Sequence, residues 1–317
     1  MNKKIIAIAI ATAMAAPVAM ADMKISGQLG AALTSSDKNT AAGSDTDKAS
    51  REFSESGLSK LTFDGTAGNA YARVGIDIRN IRTGAATGMR GRDFYFGHKF
   101  GAHSVQVGRM GSAVAGLEGD KYNATFLELR RTAAVATTDN ALNDSFNASS
   151  VIQVAGKAGA VKYKVQYDPT DNTAGSSQEG HFGVGLSGKV GAVALFAGYN
   201  NGSGTEGTPK NKETNTKFGA SMKFGSAKVT AVSYAADDNG TKDTAVALIA
   251  DMNMGNGLSV GVATGSNKIK STWSRLALTK SLNKSAKLFG GLTSKVTKTT
   301  TTSTTAQVMG VGMVVKF

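Results

Sequence analysis

Asn69-Ala70-Tyr71-Ala72-Arg73-Val74-Gly75-Ile76-Asp77-Ile78-Arg79 is the stretch on which the fold turns. Ala70, Ala72, Val74, Ile76 and Ile78 fall on one side of it, and Tyr71, Arg73, Gly75, Asp77 and Arg79 on the other. Successive side chains of a strand point to opposite faces, so this spacing gives an extended segment with one apolar and one charged face; a helix would scatter the same charges around its circumference. Val161-Lys162-Tyr163-Lys164-Val165-Gln166-Tyr167 repeats the pattern. So do Phe218, Ala220, Met222 and Phe224; then Val246, Leu248, Ala250, Met252 and Met254; then Leu258, Val260 and Val262. The chain closes on Met309, Val311, Met313, Val315 and Phe317, all on one face.

Between these segments the connections are of two kinds. Short ones fall at 65–68, 101–102, 156–160, 188–191, 225–227, 255–257 and 282–285. Long polar ones fall at 35–56, 80–91, 110–147, 168–180, 200–213, 237–243, 265–271 and 294–304. Counting between them gives sixteen strands with both termini on the short-turn side, the layout of an outer-membrane β-barrel. One face of the strands is modestly apolar and the other is rich in Lys, Arg, Gln, Ser and Thr. That suits lipid outside and a water-filled lumen inside. The competing folds are a soluble β-sandwich and a β-helix, and a sandwich of this size would bury larger, more branched inner faces.

Composition agrees. The chain has 39 Gly, 3 Pro, 3 His, one Trp and no Cys. Disulfides and thiolate chemistry are excluded, and the Gly-rich, Pro-poor balance suits twisted strands and tight turns. Met1-Asn2-Lys3-Lys4, the apolar run Ile5 to Ala16, and Ala19-Met20-Ala21 read as an export signal cleaved after Ala21. Residues 1–21 are then excluded from the fold, and 22–317 form a single barrel domain. The formal net charge of +13 falls to +11 without Lys3 and Lys4. No later segment approaches 18 consecutive apolar residues, so no transmembrane helix is expected; a soluble periplasmic protein or a barrel remains.

Three stretches resemble the trimeric, sixteen-stranded general porins of Gram-negative bacteria. Ser59-Lys60-Leu61-Thr62-Phe63-Asp64-Gly65 is similar to that family's second strand. Phe94-Tyr95-Phe96-Gly97-His98-Lys99-Phe100-Gly101 with Val105-Gln106-Val107-Gly108-Arg109 resembles the hairpin that feeds its constriction loop, and Gly310 to Phe317 resembles its closing strand. The family's constriction loop often carries a Pro-Glu-Phe-Gly stretch, whereas residues 110–147 contain no Pro. The resemblance implies an outer-membrane homotrimer, a C-terminal Phe317 used in membrane assembly, and a third loop folded into the lumen. It also implies loop acids facing a basic wall, with a field between them that sorts solutes.

On this sequence the third loop is 110–147, and Glu118 and Asp120, set among glycines, are the acids expected to reach the lumen. Arg73 and Arg79 lie on the face opposite the apolar one, and Lys24 and Lys60 share that parity on the first two strands. Arg109 ends the strand that enters the loop. Lys24, Lys60, Arg73, Arg79 and Arg109 are therefore the expected basic wall, which would favour anions.

Other signals carry less. Gly183 to Lys189 is close to a phosphate-binding loop, but Val190 follows in place of Ser or Thr and strand alternation continues where a helix should begin. His98, His103 and His181 lack metal-ligand spacing, and Asp237-Asp238-Asn239-Gly240 reads as a turn. No cofactor, metal, enzyme activity or nucleic-acid partner is expected. Lipopolysaccharide phosphates are expected partners of basic loop residues. The expected role is passive diffusion of small hydrophilic solutes. The alternatives are a channel specific for phosphate or a sugar, and a non-conducting adhesin or structural barrel.

Overall fold

The structure is a computed structural model that describes residues 22–40, 50–54, 59–78, 89–119, 127, 147–168, 181–203, 212–238, 241–267, 271–298 and 303–317. The export signal read at 1–21 lies outside them. The described strands are β1 (Asp22–Thr40), β2 (Ser50–Ser54), β3 (Lys60–Ala67), β4 (Ala70–Ile78), β5 (Met89–Phe100), β6 (His103–Gly111), β7 (Asn147–Ala158), β8 (Val161–Asp168), β9 (His181–Val190), β10 (Val193–Ser203), β11 (Lys212–Phe224), β12 (Ala227–Asp238), β13 (Thr241–Gly255), β14 (Leu258–Asn267), β15 (Thr272–Ser281), β16 (Ala286–Lys298) and β17 (Ser303–Lys316).

Each strand pairs antiparallel with the next, and β17 returns to β1 from Gln28↔Lys316 to Thr40↔Thr304. β2 and β3 both lie along β1, at Ala32↔Ser54 and Gln28↔Lys60, so they are two parts of one strand. The segments thus form a closed sixteen-stranded antiparallel barrel. The sequence placed a loop from residue 35 to 56. Instead the β1–β2 ladder continues through Ser36↔Ser50. The apolar alternation stops there, but backbone pairing does not need it once the strands have left lipid and stand in water.

Register decides which way every side chain points, because directly opposed residues share a face. Following the pairings around the barrel, the outward face carries Met23, Ile25, Leu33, Val74, Phe96, Val154, Leu186, Leu195, Phe218, Leu248, Val262, Leu276, Leu292 and Val311, all exposed. So much exposed apolar surface is stable only against lipid. No helix among the described residues is long and apolar enough to cross a membrane; the strands do so.

One packing device recurs. Tyr71 lies over Gly97, Phe196 over Gly219, Trp273 over Gly265 and Phe289 over Gly312, each pair directly opposed across a ladder. A Cβ on any of these glycines would strike the ring. Each aromatic therefore lies against the wall and covers a glycine that contributes no surface of its own. The closing seam uses the same device on the outside. Gly27 and Phe317 exchange both backbone hydrogen bonds, at 2.9 and 3.1 Å, and the Phe317 ring occupies the space a Gly27 side chain would need.

Gly27→Val is expected to displace the Phe317 ring and to destabilise the barrel by about 1–3 kcal/mol, the usual range for overpacking. The readout is the temperature at which the folded band disappears in a heat-modifiability gel. Gly65→Val, where nothing lies within 4 Å of an added Cβ, should leave that temperature nearly unchanged.

Candidate functional site

The lumen is crossed by the chain that leaves β6. Gln106, Gln153 and Gln166 form a row across β6, β7 and β8, with Gln153 donating to Gln106 and Gln166 Nε2 donating to Gln153 Oε1 at 2.9 Å. Gln166 Nε2 also donates to the Gly111 carbonyl at 2.7 Å, which turns the chain inward at the end of β6. Asn200 Nδ2 then donates to Ser112 Oγ at 2.7 Å. Ser112, Ala113 and Val114 are buried against the wall. Gly185 faces the Ala113 carbonyl and Gly198 faces Val114; a Cβ at either would collide with the loop. These glycines are a track along which the loop approaches the sheet. The phosphate-loop-like spacing at Gly183 to Lys189 therefore sits inside β9 and makes room for backbone.

Leu117 packs on a buried lumen-side cluster of Phe196, Val232, Tyr234, Ala245, Ala247, Ile249, Ala263 and Trp273. The sequence reading gave the inner face as rich in Lys, Arg, Gln, Ser and Thr. Here it is apolar, because the loop covers it. Beside it, Lys217 Nζ meets Glu118 Oε2 at 2.8 Å and donates to the Val114 carbonyl at 3.4 Å. Only 4% of the Lys217 side chain and 11% of the Glu118 side chain are exposed. The Lys217 ammonium also lies 5.3 Å from the centre of the Tyr234 ring, a cation–π contact.

Leu127, fully buried, reappears at a distant part of the wall among Ala32, Ala277 and Phe289, with Val314 beside it. Arg275 NH1 donates to its carbonyl at 3.0 Å. The loop is thus anchored on β8–β11 at one end and on β15–β17 and β1 at the other, nearly across the barrel.

A separate charged wall lines β1, β3, β4 and β5. Arg73 makes a two-point contact with Asp64, Nε to Oδ1 at 2.6 Å and NH2 to Oδ2 at 3.2 Å, and its guanidinium lies 5.9 Å from the Tyr95 ring centre. Lys24 stands opposite Asp64 across β1–β3, and Lys60 opposite Asp77 across β3–β4. A register shift at Gly75/Ile76 brings Arg92 beside Asp93 on this side, 3.4 Å from Asp77 and 3.9 Å from Asp93.

The sequence-derived residues divide accordingly. Lys24, Lys60 and Arg73 share one lumen-facing wall. Glu118 is inside the barrel, but it meets Lys217 on β11 and not that wall. Arg109 stands opposite Phe94, on the outward face and off the wall with Arg73. It sits at a register shift between Gly108 and Met110 in the β6–β7 ladder. Arg79 and Asp120 lie outside the described residues. Sequence reading missed Lys217, whose alternation with Phe218 placed it on the lumen face but gave no sign of its partner 99 residues away. Among the described residues no group of three His, Cys, Asp or Glu could hold a metal ion. His98 lies beside Phe100 with ring centres 4.5 Å apart and planes tilted by 43°, and the Tyr163 hydroxyl lies 2.7 Å from His103 Nδ1.

The family described as Gram-negative porin matches residues 7–307. No curated protein matches the chain. Among solved structures, an anion-selective porin from Comamonas acidovorans is similar at 18% identity, covering 94% of this chain and 100% of that one, with a TM-score of 0.71. Salmonella typhi OmpF, solved with daunomycin, is similar at 12% identity, 94% and 100% coverage, and a TM-score of 0.68. The trimer form of OmpT, an outer membrane protein of Vibrio cholerae, is similar at 14% identity, 94% and 99% coverage, and a TM-score of 0.59.

Lys217→Met and Glu118→Gln should each loosen the loop, since removing one partner of a buried pair typically costs about 3–5 kcal/mol. The double variant should cost less than the sum of the two. Single-channel current noise and mean conductance in planar bilayers are the readouts; additive effects would show that the pair does not anchor the loop.

Proposed function

The chain belongs to the Gram-negative porin family, and we propose that it is a passive, anion-preferring channel for small hydrophilic solutes and ions. It is an outer-membrane β-barrel. The observation that carries the reading is the loop anchored across the inside of that barrel, at Ser112–Glu118 on one side and at Leu127 on the other. It narrows a charged lumen. A fixed narrow passage and a transverse field sort solutes by size and charge with no covalent step.

Anion preference rests on the balance of lumen-facing charge. On β1–β5 the bases Lys24, Lys60, Arg73, Arg92 and Lys99 are nearly matched by Asp22, Asp64, Asp77 and Asp93. On β7–β12 the lumen side carries Lys157, Lys162, Lys164, Lys189, Lys217, Lys223 and Lys228. Against these stand Asp168, the loop's Glu118 and, directly opposite Lys228 on β13, Asp251 among the described side chains. The excess sits inside low-dielectric walls, where it acts on a passing ion more strongly than surface charge does. Lys24, Lys60 and Arg73 are the proposed basic wall of the passage, with Arg79 continuing the same strand face. Asp120 is proposed to join Glu118 on the loop side. The active form is proposed to be a homotrimer, in keeping with the trimer form of the similar Vibrio cholerae protein. Lipopolysaccharide phosphates would contact its outer loops.

In a planar bilayer with a potassium chloride gradient, the reversal potential should have the sign of chloride permeation, and conductance should rise in steps of three. Arg73→Gln leaves Asp64 without its partner and should shift the potential toward cations. A cation-selective wild type would overturn the anion reading.

A further inference from the structure

Lysine stands directly against lysine at Lys157↔Lys162, across β7 and β8. The pair flanks the short turn Gly159–Ala160, and register puts both side chains on the lumen side, the face shared by Gln153 and Gln166. Lys164 follows Lys162 on the same face, and Lys189 on β9 joins them beside Ser187, the residue opposite Lys162. All four are exposed. Like charges directly opposed in a sheet repel, so such a group is disfavoured unless an anion completes it.

Among the described residues no carboxylate does so. Asp168 is the acid on the lumen face of β6–β10 among the described side chains. It lies four residues beyond Lys164 on β8, about 13 Å away at the rise of a strand. None of the four lysines has an ion-pair partner among the described residues. The contrast with β11–β12 is instructive. Lys223 also opposes Lys228 there, but Lys228 faces Asp251 across its other ladder.

We propose that Lys157, Lys162, Lys164 and Lys189 form a binding site for a compact multivalent anion at the short-turn mouth of the barrel. The inference rests on the channel reading above, because the site opens into the same lumen. Neighbouring strands are about 4.8 Å apart, so charges on three strands span about 10 Å. That breadth suits a solute carrying two or three phosphate or carboxylate groups better than a single chloride. Lysine ammoniums on flexible stems can follow such a solute as it turns. The loop held inside the barrel stands between this group and the long-loop mouth, so access to it, and with it current block, should depend on the side from which the anion arrives.

The test uses the full mature chain in a planar bilayer, with orientation fixed by a thiol label at Ala102→Cys; the chain has no native cysteine. Inorganic tripolyphosphate and propane-1,2,3-tricarboxylate are added separately to each side. Current block is expected from the short-turn side at roughly tenfold lower concentration than from the loop side, a difference that equal access from the two sides could not give. A stronger effect of tripolyphosphate identifies phosphate as the preferred group, and the reverse identifies carboxylate. Lys157→Gln/Lys162→Gln/Lys189→Gln should abolish the asymmetry while keeping the heat-modifiable folded band. Equal block from both sides, or asymmetry retained in the variant, overturns the site. A protein that conducts without asymmetric block leaves the channel reading standing. If the protein does not conduct, the channel reading fails. Calorimetric titration of tripolyphosphate into detergent-solubilised protein then decides the site, and absence of heat in the wild type overturns it.

Discussion

Within lipid, a strand has no water to satisfy its backbone, so the sheet has no tolerable edge. Everything else in this structure depends on the ladder that removes that edge. β17 meets β1 along Gln28↔Lys316 to Thr40↔Thr304. Phe317 and Gly27 finish the ladder with a reciprocal pair of hydrogen bonds. Once the sheet closes, each strand has one face toward lipid and one toward the lumen, and alternation of polarity becomes an instruction about direction. A shift of one residue at the seam would turn Met309, Val311, Met313 and Val315 inward. The aromatic covering Gly27 holds the register against that shift.

Closure leaves an interior that the loop must enter without losing its own backbone hydrogen bonds. The wall supplies them. Gln166, Asn200, Lys217 and Arg275 each reach in from a strand to a loop carbonyl or hydroxyl. Gly185 and Gly198 let the loop lie close enough for those reaches to succeed. The buried Lys217–Glu118 pair bears a desolvation cost that the Coulomb term only partly offsets. Its value is positional: a buried ion pair fixes the loop's place more sharply than Leu117 could by packing alone. The apolar cluster beneath Leu117 supplies adhesion, and the ion pair supplies registration.

How far the sequence revealed this follows from the range of each signal. Alternation is local, so strand positions and the direction of Lys24, Lys60 and Arg73 were legible. Arg109 was not, since the register shift between Gly108 and Met110 interrupts the local pattern beside it. β13 was harder, because Ala245 to Ala250 is apolar on both faces. Its inner side meets the loop instead of water, and no local pattern announces a loop contributed by residues more than a hundred positions earlier. The aromatic–glycine pairs were invisible for a related reason. Glycines and aromatics are ordinary in a barrel, and only register shows that Trp273 covers Gly265 or that Phe289 covers Gly312. Lys217 and Glu118 were separately visible as charged residues, but not as a pair.

The distribution of arginine and lysine in the lumen follows from the same division between fixed and mobile parts. Arg73 and Arg92 are held by Asp64, Asp77 and Asp93, and Arg275 by the Leu127 carbonyl. A planar guanidinium presents several donors in a fixed fork, so a carboxylate or carbonyl on the wall can lock it. Charge held that way shapes a field that stays put while solutes pass. Lys157, Lys162, Lys164 and Lys189 are not locked, and an ammonium on four methylenes is poorly suited to fixing a field. It suits a contact that must form with an ion, follow it and let go. Two kinds of base therefore share one inner surface: arginines locked by partners on the wall or loop, and lysines near the short turns with no ion-pair partner among the described residues.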